Sequence, residues 1–252
     1  VTSPSALYRA PQPLDPARHA SLRITALNDW SIAARMHAVF VAVDEWAEAA
    51  LEFPILFVHS GEIDAAGAPV VTPVALLGLA QGENLAVEGT RWRARYVPAF
   101  IRRYPFVSGR GGVLIDSAWR GWSSVEGEPL FDAQGRATPV LRRALALLED
   151  FDAQAQRTRA VCARLAALDL FKPMQADATL PDGRLLTVEG FRVIDEDRLQ
   201  ALPDAVVLEL HRDGLLKVMH LQIASLATMR HLIERKARRE QSTQRGAGDG
   251  SQ

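Results

Sequence analysis

A chain of 252 residues, 48% hydrophobic and 23% charged, is long enough to bury a full core as one domain or as two closely packed lobes. Its formal net charge of -1 supplies no overall field toward nucleic acid or an anionic membrane, so a charge-driven nucleic-acid binder is excluded. The single cysteine, Cys162, rules out an intramolecular disulfide and a cysteine-built zinc site, favours a reducing compartment and makes a cytoplasmic location the expectation. No stretch reaches the roughly 18 consecutive apolar residues of a membrane span.

In chain order, residues 1–17 carry Pro4, Pro11, Pro13 and Pro16. Each proline fixes φ and removes a backbone donor, so a flexible arm is expected, without the apolar stretch of a signal peptide or anchor. A single domain over 18–239 follows. Leu22 to Ile24 starts a strand, and the β-branched and aromatic run Met36 to Val43 suits a strand buried on both sides. Asp44 opens a short helix that Pro54 ends, and ILFVHS and VVTPVALLGLA form a hairpin around the Gly61 to Gly67 turn. A short strand at Asn84 to Val87, a short helix at Val97 to Arg103 and a strand at Val113 to Asp116 come next, and then a long loop.

Thr138 and Pro139 are a helix start. The apolar residues Leu141, Leu145, Leu148, Phe151, Ala155, Cys162, Leu165 and Leu168 continue one stripe to about Asp169, a core helix or the seam of a homodimer. A hairpin turning at Pro181-Asp182-Gly183 follows. Asp195 caps a further helix, Gly214 ends another that begins at Pro203-Asp204, and Leu221 to Arg239 is the last. Residues 240–252 are polar and expected to be disordered. Strands cluster before residue 120 and around 178–194 without the alternation of a doubly wound fold. The expected class is therefore α+β, a largely antiparallel sheet packed with a long central helix and a C-terminal helix.

The densest chemistry lies between Gly82 and Phe106. Arg91, Arg93, Arg95, Arg102, Arg103 and Arg110 are interleaved with Trp92, Tyr96, Phe100, Tyr104 and Phe106. Guanidinium forks bind carboxylate or phosphate at two points, and the rings stack on arginine or ligand. The same pattern also suits an aromatic wedge in the core with its arginines paired to acids. Glu126, Glu128 and Asp132 in EGEPLFD are the acids expected to meet Arg102 and Arg103, and a close pair of them would have the means for acid and base chemistry. His211-Arg212-Asp213 matches half of an iron triad, but a helix ending at Gly214 explains it more simply. SGRGG lacks the spacing of a dinucleotide fingerprint, and Ser225 lacks a nucleophile elbow. The residues call for no cofactor or metal.

The run Gly82-Glu83-Asn84-Leu85, Trp92, Tyr96-Val97-Pro98, Ile101-Arg102-Arg103 and Pro105-Phe106 resembles the SapC-like bacterial proteins. The likeness extends through RHASLRI, FPILFV, EGEPLFD, EGFRVIDEDRLQAL and IASLATMRHLIERK, from about Arg18 to Lys236. It brings Glu83 and Asn84 into the candidate set with Trp92, Tyr96, Arg102, Arg103, Phe106, Glu126, Glu128 and Asp132. The resemblance implies a binding or accessory protein for a peptide, protein or small anionic metabolite. Its implied partners are flavin-dependent halogenase-like enzymes, cupin-type oxygenases and TonB-dependent receptors. The family's surface-array label implies the alternative of a structural component of a bacterial surface layer, and an enzyme using the three acids is a weaker alternative.

Overall fold

The computed structural model describes residues 7–248 apart from 64–66, 68 and 180–182. Strands β1 (Pro11–Pro13), β2 (Arg23–Ile24) and β3 (Ala38–Phe40) lead to the one-turn helix α1 (Trp46–Ala49), then β4 (Ile55–Ile63) and β5 (Pro69–Leu76). Next come β6 (Val87–Glu88), β7 (Arg91–Trp92), α2 (Ala99–Arg102), β8 (Phe106–Gly109), β9 (Gly112–Asp116), β10 (Trp122–Ser123) and β11 (Glu128–Pro129). The long helix α3 (Pro139–Ala167) precedes the hairpin β12 (Phe171–Thr179) and β13 (Leu185–Ile194). Helices α4 (Glu196–Gln200), α5 (Asp204–Arg212), α6 (Leu215–Ser225) and α7 (Met229–Gly248) complete the chain.

The fold is α+β. Its centre is a five-stranded sheet in the order β12-β13-β4-β5-β3, with every pairing antiparallel. Successive side chains of a strand point to opposite faces. Ile55 and Phe57 of β4 accordingly join a core with Phe151, Cys162 and Leu165 of α3. Leu56 points the other way and joins Val74, Phe191, Val193 and Leu232 of α7. Both faces being covered, ILF reads as an unbroken apolar run. Helix α3 is on the order of 44 Å long at 1.5 Å per residue, and its first half packs elsewhere: Leu141 and Leu148 meet Phe106, Ile115, Leu130 and Phe131 in a separate cluster. One helix thus ties the central sheet to the small sheets β1-β9-β8 and β10-β2-β11.

The structure departs from the expectations in several places. The N-terminal arm is docked from Leu7 onward: Leu7 and Tyr8 are buried, and β1 pairs antiparallel with β9. Its prolines are tolerated because β1 is an edge strand, where the missing donors face away from the partner. The strand expected over Met36 to Val43 is confined to β3, because Ala42 begins a 3-10 turn through Glu45. Asn84 to Val87 is not a strand, and pairing begins only at Val87, with Trp92.

The last helix is not continuous. The Ser225 hydroxyl donates to Gln222 O and the Thr228 hydroxyl to Ser225 O, so side chains compete with the backbone ladder and a 3-10 turn separates α6 from α7. Helix α7 runs to Gly248, past Arg239, so the tail expected to be disordered from residue 240 is helical over its described part. Residues 249–252 lie outside the described residues, as do 1–6 of the arm and Pro181 and Asp182 of the expected turn. No helix among the described residues is long and apolar enough to cross a membrane.

Candidate functional site

The GENL segment is structural. The Asn84 amide donates to Ala33 O at 2.9 Å and its carbonyl oxygen accepts from Ala86 N–H at 2.9 Å, so a fully buried side chain fixes the turn that follows β5. Glu83 receives Lys236 of α7 at 2.8 Å, and Arg239 donates to Asn84 O and Val87 O. Burial works to lower the Lys236 pKa, but Glu83 and Glu240 outweigh it and hold the amine above its ordinary value. Glu83 and Asn84 therefore dock α7.

Trp92, Tyr96 and Arg102 are organised by a carboxylate the sequence reading passed over. Glu45 is 4% exposed. It accepts from Ala42 N–H at 3.0 Å, Ala99 N–H at 2.7 Å and the Tyr96 hydroxyl at 2.5 Å, while Arg102 stands 3.9 Å away. The contacts at Ala99 and Tyr96 fix the start of α2 against α1. Burial and the Glu45 carboxylate push the Tyr96 hydroxyl well above the ordinary tyrosine range. Trp92 donates its indole N–H to Tyr96 O at 2.8 Å and packs its ring between Trp30 and Phe53. The inward placement expected of the aromatics is full for Phe106 and partial for Trp92 and Tyr96.

Arg103 behaves differently. It is 6% exposed, and its guanidinium carbon lies 4.1 Å from the Phe151 ring centroid and 4.7 Å from that of Phe100. It forms no ion pair among the described residues, and Nε has no hydrogen-bond partner. Burial pulls its pKa down from the ordinary arginine value, with Tyr8 and Asp152 acting against that. Arg103 lines a recess of about 430 Å³ between α3, α2 and the β4–β5 hairpin. Phe40, Val71, Pro73, Phe100 and Phe151 supply apolar walls, and the exposed pair Glu62 and Arg159, 3.2 Å apart, stands among the lining residues.

The expected coupling of Arg102 and Arg103 to EGEPLFD fails. Glu128 faces Arg143 of α3 at 3.7 Å, and Asp132 pairs with Arg136 at 2.8 Å. Asp132 also takes the Arg136 and Gln134 N–H groups, contacts that hold its carboxyl below the ordinary range, the Arg136 N–H foremost. Glu126 is exposed, with its N–H on the Ser123 hydroxyl. The segment is pinned by Leu130 and Phe131, which are buried in the cluster with Phe106, and by the Thr138 hydroxyl, which donates to Pro129 O. Gly127, at φ +88°, passes so near β2 that a Cβ would lie 2.3 Å from Ile24 O. Arg143 and Arg136 meet Glu128 and Asp132 first, and the loop's apolar pair turns toward α3.

A second carboxylate also escaped the sequence reading. Asp116 is fully buried and accepts from Arg9 N–H, Ala10 N–H, the Tyr104 hydroxyl and Ala118 N–H at 2.9 to 3.1 Å. Burial works to raise its pKa, but those four bonds together hold it below the ordinary value. The remaining sequence candidates have local explanations. Ser225 accepts from Ile55 N–H at 2.9 Å, and His211 and Arg212 close α5 before Gly214, whose φ of 73° favours glycine. Among the described residues no three His, Cys, Asp or Glu side chains gather as a metal site.

Comparison with curated proteins and with solved structures finds no match. The family model described as SapC matches residues 14–232, which takes in the central sheet, the Glu45 cluster, Asp116 and the Arg103 recess. That match spans most of the chain, and the chain belongs to the SapC family.

Proposed function

We propose that this chain is a binding protein for a small ligand with an apolar body and one carboxylate, held in the recess at Arg103. One observation carries the reading: a buried guanidinium stacked on two phenyl rings, with Nε unpartnered, at the wall of an apolar recess. Stacking engages the faces of the guanidinium, whereas its donors lie in the plane. Tyr8 and Asp152 offset the burial of this cation only in part, since its pKa still falls below the ordinary value, and a ligand carboxylate would relieve the remaining cost with charge-assisted bonds. The volume of about 430 Å³ falls in the range of small-molecule sites, which are mostly apolar with a few placed polar groups.

The recognition element expected from the sequence is thereby narrowed from the arginine-aromatic run plus EGEPLFD to Arg103, Phe100 and what α3 and the β4–β5 hairpin bring to them. In this proposal the protein acts inside the cell, as an accessory to flavin-dependent halogenase-like or cupin-type enzymes or to TonB-dependent receptor systems. The family resemblance alone supplies those partners. Co-purification and fractionation of native cells check them, and recovery of the protein mainly at the cell exterior would count against the location.

A thermal-shift panel of short- and medium-chain aliphatic and aryl carboxylic acids, each beside its primary amide, tests the binding function. Acids are expected to raise the melting temperature with dose while their amides do not. Equal shifts from acid and amide, or none from any acid at millimolar concentration, would overturn the proposal.

A further inference from the structure

A second recess, about 530 Å³ in volume, is lined by Tyr104, the chain entering β1, the segment after β2 and the loop before β10. Arg9, Arg35 and Arg120 all line it, brought there from three separate segments. All three are exposed, and none forms an ion pair or a side-chain hydrogen bond among the described residues. Most other surface arginines of this chain do find an acid, as Arg93 does with Glu88, Arg157 with Asp44 and Arg164 with Glu209. Like charges that outnumber the acids of one concavity repel each other, and a concave site focuses their field more than a flat surface does.

The one acid in the lining is Asp29. Its carboxylate is committed to Ser31, whose contacts hold its pKa below the ordinary value, so it is ionised at neutral pH. The lining carries three guanidinium groups against Asp29, which also attracts Arg120, and the buried Asp116 carboxylate stands behind the wall on Arg9 N–H, Ala118 N–H and the Tyr104 hydroxyl, so the local balance is positive by about one charge. A phosphate monoester carries about -1.5 to -2 at neutral pH and three acceptor oxygens, and three planar guanidinium forks suit those oxygens.

Trp119 supplies an aromatic wall. Its ring is held by edge contacts with Tyr104 and Trp122, at centroid distances of 6.2 and 5.0 Å, and it lies against Gly121, where a Cβ would meet the indole at 2.1 Å. The ring is half-buried and already in place to stack on the body of a ligand.

From this arrangement we infer that the Arg9, Arg35 and Arg120 recess binds the phosphoryl group of a small phosphate ester, with Trp119 against the ester's body. The site is independent of the Arg103 recess in residues and in ligand charge.

Calorimetric titration of the full chain with inorganic phosphate and with phenyl phosphate tests it. One site per chain is expected, tighter for phenyl phosphate. Arg35→Ala and Arg120→Ala should each weaken both ligands about tenfold, as loss of a charge-assisted contact does. Arg120→Lys should fall between Arg120→Ala and the parent. Arg164→Ala, which removes the same charge elsewhere, should leave both affinities unchanged, and Trp119→Ala should weaken phenyl phosphate alone. Because the arginines are exposed, melting temperatures of their variants should match the parent. No heat from either ligand at millimolar concentration, or equal weakening by Arg164→Ala and Arg120→Ala, would overturn the inference.

Discussion

Replacing Asp116 with alanine is expected to lower the unfolding free energy by about 3 to 5 kcal/mol, the largest effect of any single substitution considered. The carboxylate satisfies the backbone N–H groups of Arg9, Ala10 and Ala118 and the Tyr104 hydroxyl, and in the alanine variant these donors are left in a fully buried place. Because Arg9 and Ala10 enter β1, the variant should also release the N-terminal segment, seen as faster amide exchange over Ala10 to Leu14 than in the rest of the chain. Urea unfolding gives the free energy.

The pH dependence has a definite sign. The folded pKa of Asp116 lies below the ordinary value of 3.8. Its contribution to stability is therefore complete above about pH 4 and is lost as the pH falls through the folded value. The difference between parent and Asp116→Ala should accordingly shrink only in acid below that point. A difference that is already gone at pH 5 would show that the carboxylate's hydrogen bonds do not carry the effect.

The Glu45→Ala substitution should cost about 3 kcal/mol, from stranding the Ala42 and Ala99 N–H groups and the Tyr96 hydroxyl and leaving Arg102 without its carboxylate. Glu45→Gln separates charge from shape, keeping an acceptor but removing the anion that helps push the Tyr96 hydroxyl upward. Its phenol should titrate at lower pH than in the parent while staying above the ordinary tyrosine value, because burial, the larger cause, remains. Ultraviolet titration of the phenolate checks this, and an unchanged Tyr96 ionisation would contradict the assigned contact.

Elements governed by local rules were legible in the sequence. The α3 start at Thr138-Pro139, the β4–β5 and β12–β13 hairpins, the Asp195 cap and the Gly214 stop all follow from residue type and period. The docking of β1 was not, because its prolines argue for an arm and the partners that hold it, Asp116 and the rest of β9, lie about a hundred residues away. The break between α6 and α7 was hidden for a similar reason: the Ser225 hydroxyl that bonds Gln222 O also accepts from Ile55 N–H across the core, a residue 170 positions away.

For the candidate site, sequence proximity grouped Arg102 and Arg103 with the acids of EGEPLFD, and the structure gives Glu128 and Asp132 other partners. Arg102 and Arg103 are neighbours on the chain, yet one turns outward to Tyr96 and Glu45 and the other inward between Phe100 and Phe151. A signal for the difference was available. In a short helix adjacent positions face different sides, so only one of the pair was free to share a surface with EGEPLFD, and Arg143 and Arg136 take that segment's Glu128 and Asp132.

Titration of a panel-positive carboxylic acid into the parent protein and into Arg103→Met, with melting temperatures recorded alongside, tests the central claim most directly. Methionine fills the space between the two rings without the charge, and exchange of a buried unpaired charge for an apolar side chain is often neutral or stabilising. The account predicts a variant at least as stable as the parent that binds the acid about 10- to 100-fold more weakly, the loss expected for one charge-assisted contact of roughly 1.5 to 3 kcal/mol. A folded variant that binds the acid as tightly as the parent, or one that fails to fold, would contradict it.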